Sequence, residues 1–467
     1  MRIRLCAMVL LASVISATSG ADRPSFLLFV LDTVRADAVS AWGEVEGTTP
    51  TLDRLAAEGL RYQHAYASAP WTLPSHASLF TGLPVRRHGV NWNATRARDE
   101  LVTVAERFRA AGWETVGFSE NSWLSNVFNV NQGFEHFELT TPQQARLPGA
   151  LARWLRGRDA SRPFFLFINV VDAHVPYQVR DQNPFLPKGV SAAEARAVSQ
   201  AKEEYMCVSG KARELAILRG LYHGGVAAAD AKLGYTLTVL GGLGLTRDLV
   251  TVVASDHGEH FGERRRFEHV AGLEQALLRV PLIVHGLPGV APAVLPAPVS
   301  LASVAPSLVA WAGLEPLPGV DRAPLPTLPA RAPETAPRAV LAEWTDPVGG
   351  DHGLDPHDFV KVHRMMSGRF RAGCTPADRV FGDQRVLVRY PWKLTWYDRY
   401  PPELQDLREG AADVSKQHPE LTAELLAELE HSLGPPAAFS RQVSSPDPAE
   451  PLPQDVKEGL RALGYGQ

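Results

Sequence analysis

Cysteine is scarce in this chain: Cys6, Cys207 and Cys374 are the three among 467 residues. No two of them have the close spacing of a thiolate zinc site, which excludes a cysteine-built metal framework. Cys6 lies in the N-terminal apolar run, so only Cys207 and Cys374 remain to pair or stay free in an oxidising compartment. An excess of one charge is also missing. Lys and Arg number 47 against 51 Asp and Glu, the formal charge is −4, and the single basic run is Arg264 to Arg266. That balance lacks the electrostatic footprint of a nucleic-acid partner, and none is expected. Long hydrophobic runs are lacking as well. The best candidate, Leu5 to Ile15, is too short to span a bilayer comfortably; it follows Arg2 and Arg4 and precedes the small residues Ser16 to Ala21. This is the pattern of a secretory signal over residues 1–21, with the mature chain starting near Asp22. It predicts a secreted or periplasmic protein with no transmembrane span once the signal is removed.

What is present is enough apolar residue, 45% of the chain, to bury a large core. Three apolar runs of strand length each end in a polar cluster. Ser25 to Leu31 runs into Asp32, Pro163 to Val171 into Asp172-Ala173-His174, and Asp248 to Ala254 into Ser255-Asp256-His257-Gly258-Glu259. Continuous rather than alternating apolar character is the mark of a strand buried on both faces. Helix-length stretches at 51–58, 101–111, 148–156 and 214–240 separate them, the last with Gly breaks. Alternating strands and helices predict an α/β fold with a mostly parallel sheet, whose ligands bind beyond the carboxyl ends of the strands. Val280 to His285 reads as a further strand and 299–312 as a helix, while 286–298 and 314–337, rich in Pro and Ala, read as irregular connections. A boundary near 337 then divides a catalytic-size domain, 22–337, from a smaller α+β subdomain and tail, 338–467, with strands at 339–344 and 385–397 and a helix at 418–433. Segments 178–209 and 345–383 read as loops framing a pocket; their Lys188, Lys202 and Arg364 are taken as solvated surface.

The chemistry concentrates at the strand ends. Asp32, Asp256 and His257 form a ligand set of two carboxylates and an imidazole, suited to a divalent cation such as Ca²⁺, Mg²⁺, Mn²⁺ or Zn²⁺. In Ala69-Pro-Trp-Thr-Leu-Pro-Ser-His-Ala-Ser-Leu-Phe-Thr-Gly82, Pro74 suits a first helical turn and Gly82 a helix stop. Thr72 therefore falls at a helix N-terminus, where free N–H groups and the helix dipole favour an anion. The alternative role for Thr72 is plain capping. Completing the cation's ligand set would instead lower its hydroxyl pKa and make it a nucleophile. His174 and His269 are candidates to hydrogen-bond anionic oxygens or protonate a leaving group. His260 and His285 are expected to be structural.

Together these motifs resemble the sulfatase family of the alkaline phosphatase superfamily. The likeness runs through Phe29 to Asp37, Thr49 to Ala56, Thr72 to Gly82, Asp172 to Tyr177, Tyr222 with Asp230, Ser255 to Glu263, Arg279 to Val284, Pro402 to Leu407 and Leu460 to Tyr465, in order. The resemblance implies an α/β/α sandwich with a small C-terminal subdomain. By position Asp32, Asp256 and His257 match the family's metal ligands, Thr72 its nucleophile and His174 a histidine at the substrate anion. His269 resembles a basic position near the leaving-group oxygen, although Val270 and Glu274 to Ala276 depart from the pattern around it. The family carries Cys or Ser at the nucleophile, followed by x-Pro-x-Arg, and converts it to formylglycine. Here Thr72, Pro74 and His76 stand in those places, and a threonine, branched at Cβ, cannot become that aldehyde. The second family carboxylate is replaced by Thr33, and Asp256 is followed by His257 rather than Asn.

A threonine nucleophile resembles the phosphatases, phosphodiesterases and phosphotransferases of the superfamily. The expected function is a secreted, metal-dependent hydrolase of phosphate mono- or diesters acting on a small-molecule, glycan-linked or lipid-linked ester, with a second metal if Asp172 and His174 ligate. The alternatives are a sulfuric-ester hydrolase working without formylglycine and, from another class, a non-catalytic anion- or glycan-binding protein on the same fold.

Overall fold

A computed structural model of the chain describes residues 23–43, 47–92, 94–140, 146–200, 212–269, 272–328, 339–345, 382–434 and 452–463. The expected signal segment, all three cysteines, the boundary near 337, Lys202 and Arg364 lie outside the described residues.

The main sheet has nine strands: β1 (Ser25–Leu31), β2 (Leu60–Tyr66), β3 (Glu114–Ser119), β4 (His136–Leu139), β5 (Phe164–Val170), β6 (Leu249–Ala254), and, beyond the small hairpin β7 (His260–Phe261) and β8 (Phe267–Glu268), β9 (Arg279–Val280), β10 (Leu282–His285) and β11 (Ala293–Ser300). Its order is β11-β2-β10-β6-β1-β5-β3-β4, with β9 alongside β2. The pairs around β1 are parallel, and β10 runs antiparallel to both its neighbours. The three apolar runs read from the sequence thus lie side by side as β6, β1 and β5.

Their continuous apolar character has a direct cause. Phe26, Leu28, Val30, Phe165, Phe167, Val250 and Val252 face one hydrophobic core, while Leu27, Phe29, Leu31, Leu166, Ile168 and Val253 face another. Period-2 alternation therefore delivers apolar side chains to both faces. The first core receives helix α2 (Thr72–Thr81) through Leu73, Ala77, Leu79 and Phe80, together with helices Val104–Ala110 and Val304–Trp311. The second receives α1 (Pro50–Glu58), Arg146–Gly157 and Ala212–Gly242. The result is an α/β/α sandwich.

Ala212–Gly242 is continuous despite its glycines, because they serve packing rather than turning. A Cβ at Gly225 would lie 2.3 Å from the Asp172 carbonyl oxygen, and one at Gly220 would lie 2.5 Å from that of Phe185. The missing side chains let the helix backbone press against the end of β5.

Two expectations are corrected. The stretch 286–298 was expected to be irregular, yet Ala293–Ser300 forms the edge strand β11 on β2, where prolines are tolerated next to a register shift between Leu295 and Pro298. Within 178–209, expected to be loop, Ala192–Gln200 is helical, with Ala195 and Val198 buried on the long helix's core.

The C-terminal sheet is antiparallel, β12 (Val340–Trp344), β13 (Gln384–Arg389), β14 (Trp392–Tyr397) and β15 (Glu403–Asp406). Val386 and Val388 turn toward the main domain's first core, and Leu387 turns to the opposite face against Leu425, Leu429 and Leu433 of helix Pro419–Leu433.

Candidate active site

Because β1, β5, β6 and β3 run parallel, their carboxyl ends share one edge. Leu31 pairs with Val170, Val30 with Ala254, and Ser119 with Asn169, so the residues that follow converge there. Asp32, Asp256 and His257 offer ligand atoms that all lie within 4.8 Å of one another, and all three residues are fully buried.

Both carboxylates have one oxygen engaged and one bare. Asp256 Oδ1 accepts the backbone N–H of Thr33 at 3.2 Å and of His257 at 2.9 Å. Asp32 Oδ2 accepts the amide N–H groups of Asn121 at 2.8 Å and Asn169 at 3.3 Å. Asp32 Oδ1 and Asp256 Oδ2 have no hydrogen-bond partner, and they lie 4.0 and 3.4 Å from His257 Nε2. The other imidazole nitrogen of His257, Nδ1, donates to the Gly258 carbonyl at 2.9 Å, which leaves the Nε2 lone pair directed into the cluster. Burial pushes the Asp256 carboxyl well above the usual carboxylate range, with the Asp32 charge adding to it, and burial plus the neighbouring His269 pushes His257 well below the usual imidazole range. Two unneutralised carboxylates and one available imidazole nitrogen are the donor set of a divalent-cation site, and these residues fit one.

Thr33 sits at φ 61, an uncommon conformation for a β-branched residue. It is held there by the Tyr222 hydroxyl, which donates to the Thr33 carbonyl at 2.9 Å, and by its own N–H on Asp256. The kink turns the chain after Asp32 so that strands β1 and β6 present both carboxylates to one point.

Thr72 is the first residue of α2. The preceding Trp71 is extended and holds the cap position, and no side-chain cap is made, so the Thr72 hydroxyl is not spent on capping. Its Oγ1 lies 3.5 Å from His257 Nε2 and accepts an N–H from Asn121 Nδ2 at 3.2 Å. Gly82, at φ 74, closes the helix by returning its N–H to the Ser78 carbonyl. His76, one turn along, donates from Nδ1 to the Thr72 carbonyl at 2.9 Å, and burial lowers its pKa to about 4. Ser75 Oγ donates to the Asp256 carbonyl at 2.6 Å, tying α2 to the end of β6.

The two remaining sequence candidates complete a row of imidazoles. The ring of His269 lies 4.5 Å from that of His257 and 4.7 Å from that of His174. His269 Nδ1 is 3.1 Å from Glu259 Oε1, and His174 Nδ1 bonds the Val175 carbonyl. Burial, then His269, lowers the His174 pKa to about 4. All six residues singled out from the sequence are therefore gathered at one edge of the sheet. Of the others, His260 is buried against Glu268 and Glu274, His285 pairs with Glu58 at 3.6 Å, and Lys188 is exposed.

The expectation that Asp172 could hold a second metal is not supported by its geometry. Its carboxylate pairs with Lys232 Nζ at 2.6 Å and with Arg180 at 3.0 Å, on the side of the long helix. Lys232 also binds Glu120, at 2.6 and 2.8 Å, so one ammonium ties the ends of β3 and β5 together.

Asn121, Asn169, Glu120 and Lys232 were not picked out in the sequence. Asn169 is the one polar residue within the apolar run Pro163 to Val171, and that was the available signal. Asn121 follows β3, whose Glu114-Thr-Val-Gly-Phe-Ser119 is short and interrupted by Gly117. It begins a single 3-10 turn, Ser122–Leu124, on which helix Gln454–Ala462 rests: Val456 and Leu460 share the core with Trp123 and Leu124, and a Cβ at Gly459 would lie 1.9 Å from Ser122 Oγ.

The family model described as sulfatase matches residues 24–314. The chain is 22% identical over 343 residues to an arylsulfatase of Clostridium perfringens, covering 56% of this chain and 68% of that protein. It is 23% identical over 385 residues to an ulvan-active sulfatase of Formosa agariphila, covering 75% and 74%. Among solved structures, the phosphonate monoester hydrolase of Agrobacterium radiobacter superposes with a TM-score of 0.68 at 21% identity, covering 88% of this chain and 96% of that one. A protein solved with its substrate D-glucosamine-2-N,6-O-disulfate gives 0.66 at 18% identity, covering 90% and 100%. These likenesses show a shared fold, and the matched span 24–314 takes in every strand end that builds the site. This chain belongs to the sulfatase family.

Proposed function

We propose that the protein is a metal-dependent hydrolase of phosphate mono- or diesters that uses Thr72 as its nucleophile. The observation that carries this reading is the uncapped Thr72 hydroxyl, 3.5 Å from His257 Nε2, beside two carboxylates that each keep one bare buried oxygen. A divalent cation held by Asp32, Asp256 and His257 would supply the positive charge that favours ionisation of the Thr72 hydroxyl and neutralises the phosphoryl oxygens. Thr72 Oγ1 loses its proton to solvent and bonds to phosphorus as the ester P–O bond breaks, with the electron pair leaving on the departing alcohol oxygen. His269, whose Nδ1 lies 3.1 Å from Glu259 Oε1, provides that oxygen with a proton. Water then attacks the phospho-threonine and hands a proton to the histidine, the P–Oγ1 bond breaks, its electron pair returns to Thr72, which regains a proton from solvent, and inorganic phosphate or a monoester departs. At the N-terminus of α2, backbone N–H groups and the helix dipole favour the charge held on the transferring group.

The secretory pattern of residues 1–21 supports action outside the cytoplasm, on a small-molecule or glycan- or lipid-linked ester. Among the described residues no helix is long and apolar enough to cross a membrane.

A second reading, sulfuric-ester hydrolysis by the same threonine, is favoured by the names of the arylsulfatase and ulvan-active sulfatase relatives. One assay separates the two: metal-replete protein on aryl phosphate mono- and diesters and on the matching aryl sulfate, with Thr72→Ala as control. Thr72-dependent phosphoester turnover in excess of sulfate turnover is the expected result. Dominant sulfate turnover selects the second reading, and a Thr72→Ala protein that keeps most of its activity overturns both.

A further inference from the structure

We infer that Asn121 is a catalytic residue of this site, donating a hydrogen bond to the nucleophile oxygen in the ester-cleaving step while the same amide nitrogen fixes the cation-facing carboxylate of Asp32. The inference rests on Thr72 being the nucleophile and adds a residue that no feature of the sequence marked.

Asn121 Oδ1 accepts the backbone N–H of Trp123 at 3.0 Å, as the N-cap of the turn Ser122–Leu124. With the carbonyl committed to that cap, Nδ2 must face the opposite way, into the site. Its two protons have two acceptors in reach, Asp32 Oδ2 at 2.8 Å and Thr72 Oγ1 at 3.2 Å. Asn121 is fully buried, with no surface open to bulk solvent.

Two consequences follow from these contacts. An N–H aimed at Oγ1 occupies one of its lone pairs, so the hydroxyl's own proton points elsewhere, and the donor stays in place when the oxygen carries negative charge. A preorganised donor in a dry site is worth far more toward a developing anion than toward a neutral hydroxyl. Meanwhile Asp32 Oδ2 carries two amide donors, from Asn121 and Asn169, while Oδ1 carries none. The amide thereby selects which Asp32 oxygen is left for a cation. The backbone of Asn121 is held from behind, because the Lys232 ammonium grips the adjacent Glu120 and Glu120 Oε2 accepts the Val171 N–H at 3.1 Å. Glu120 is only 5% exposed.

The test uses the full-length, metal-replete protein and the aryl ester on which Thr72-dependent turnover is found. Asn121→Ser keeps a cap acceptor for Trp123 but cannot reach Oγ1, and Asn121→Ala removes both functions. Thermal melting reports folding, elemental analysis reports bound metal, and stopped-flow release of the aryl alcohol reports the first step. The expected result for Asn121→Ser is a fall of about 10²–10³-fold in the rate of alcohol release, the range for loss of one oxyanion donor, with KM within about threefold, unchanged metal content and a near-native melt. If Asn121→Ala fails to fold, Asn121→Ser decides alone. Alcohol release by Asn121→Ser within about threefold of wild type, while Thr72→Ala is inactive, overturns this inference and leaves the proposed function standing. A loss of rate restored by excess metal also overturns it, since the residue would then act only through Asp32. Activity retained by Thr72→Ala removes the nucleophile and both readings together.

Discussion

Two clusters of buried charge lie within the same molecule, and they differ in how their charges are met. Between the C-terminal sheet and the segment that carries His269, Arg264 pairs with Glu403 at 2.6 Å, Arg266 with Glu274 at 2.5 Å, the Tyr397 hydroxyl donates to Glu403 at 2.8 Å, and Lys393 Nζ donates to the Leu273 carbonyl at 2.6 Å. Burial alone would raise the Glu274 carboxyl, but Arg266 and His260 outweigh it and hold that group far below the carboxylate range. At the strand ends, Asp32 and Asp256 are buried as deeply, yet they meet only amide and backbone N–H groups and imidazoles, no ammonium or guanidinium, and one oxygen of each carboxylate is bare. Burial is common to both clusters. What separates them is that the first supplies its own counter-charges and the second leaves room for one from outside, so the first reads as structure and the second as function.

The contrast can be broken from either side. The largest effect is expected from Asp256→Asn, which removes one of the two cation-facing carboxylates. Elemental analysis should show the bound metal lost, and turnover should fall by on the order of 10³-fold or more, as when a principal electrostatic group is removed from an active site. Arg266→Met attacks the other cluster by removing the nearest of the cations around Glu274, which should cost up to about 3 kcal/mol in denaturant unfolding while the metal content stays intact. Chelation should destabilise the wild type by about 2.7 kcal/mol relative to protein at metal concentrations near a hundred times Kd, and this difference should vanish in Asp256→Asn.

A third site, Glu343, sharpens the rule through an effect that fades with falling pH. This residue is buried on β12, its Oε2 accepts the Arg86 N–H at 3.0 Å, and burial raises its pKa to about 7. The folded state therefore holds a proton that the unfolded chain has released between about pH 4.5 and 7, so stability falls as pH rises through that window. Glu343→Gln should raise the melting temperature at pH 8, by up to about 3 kcal/mol of stability, with the gain shrinking toward pH 4. A gain that is independent of pH would show that ionisation of Glu343 is not its origin.

The parts of the fold that could be read in advance were those buried on both faces. β1, β5 and β6 announce themselves because all but one side chain of each is apolar, and the polar residues that follow them at Asp32, Asp172 and Asp256 mark the strand ends. The ligand cluster was legible for the same reason. β11 escaped because its prolines look like a loop and are permitted only by its edge position. Asn121 escaped because its role depends on where an amide points, and that is set by the Trp123 N–H together with a neighbouring strand. Asp172 misled in the opposite direction: its place at a strand end suggested a ligand, while its partner Lys232 comes from a helix whose facing could not be read from the local pattern.

The helix Gln454–Ala462 that rests on the Ser122–Leu124 turn bears on the order in which the protein is made. During synthesis the turn leaves the ribosome long before the helix does, so Asn121 waits, without the cover that Val456 and Leu460 add to Trp123 and Leu124, while the rest of the chain is translated. The strands that carry Asp32, Asp256 and His257 can assemble in that interval, but the last part of the apolar cover over the Asn121 turn arrives only with the helix. A nascent chain can thus bring Asp32, Asp256 and His257 together before the turn beside Thr72 is sealed, and a ribosome stalled between the two would expose that turn while the strand ends are already joined.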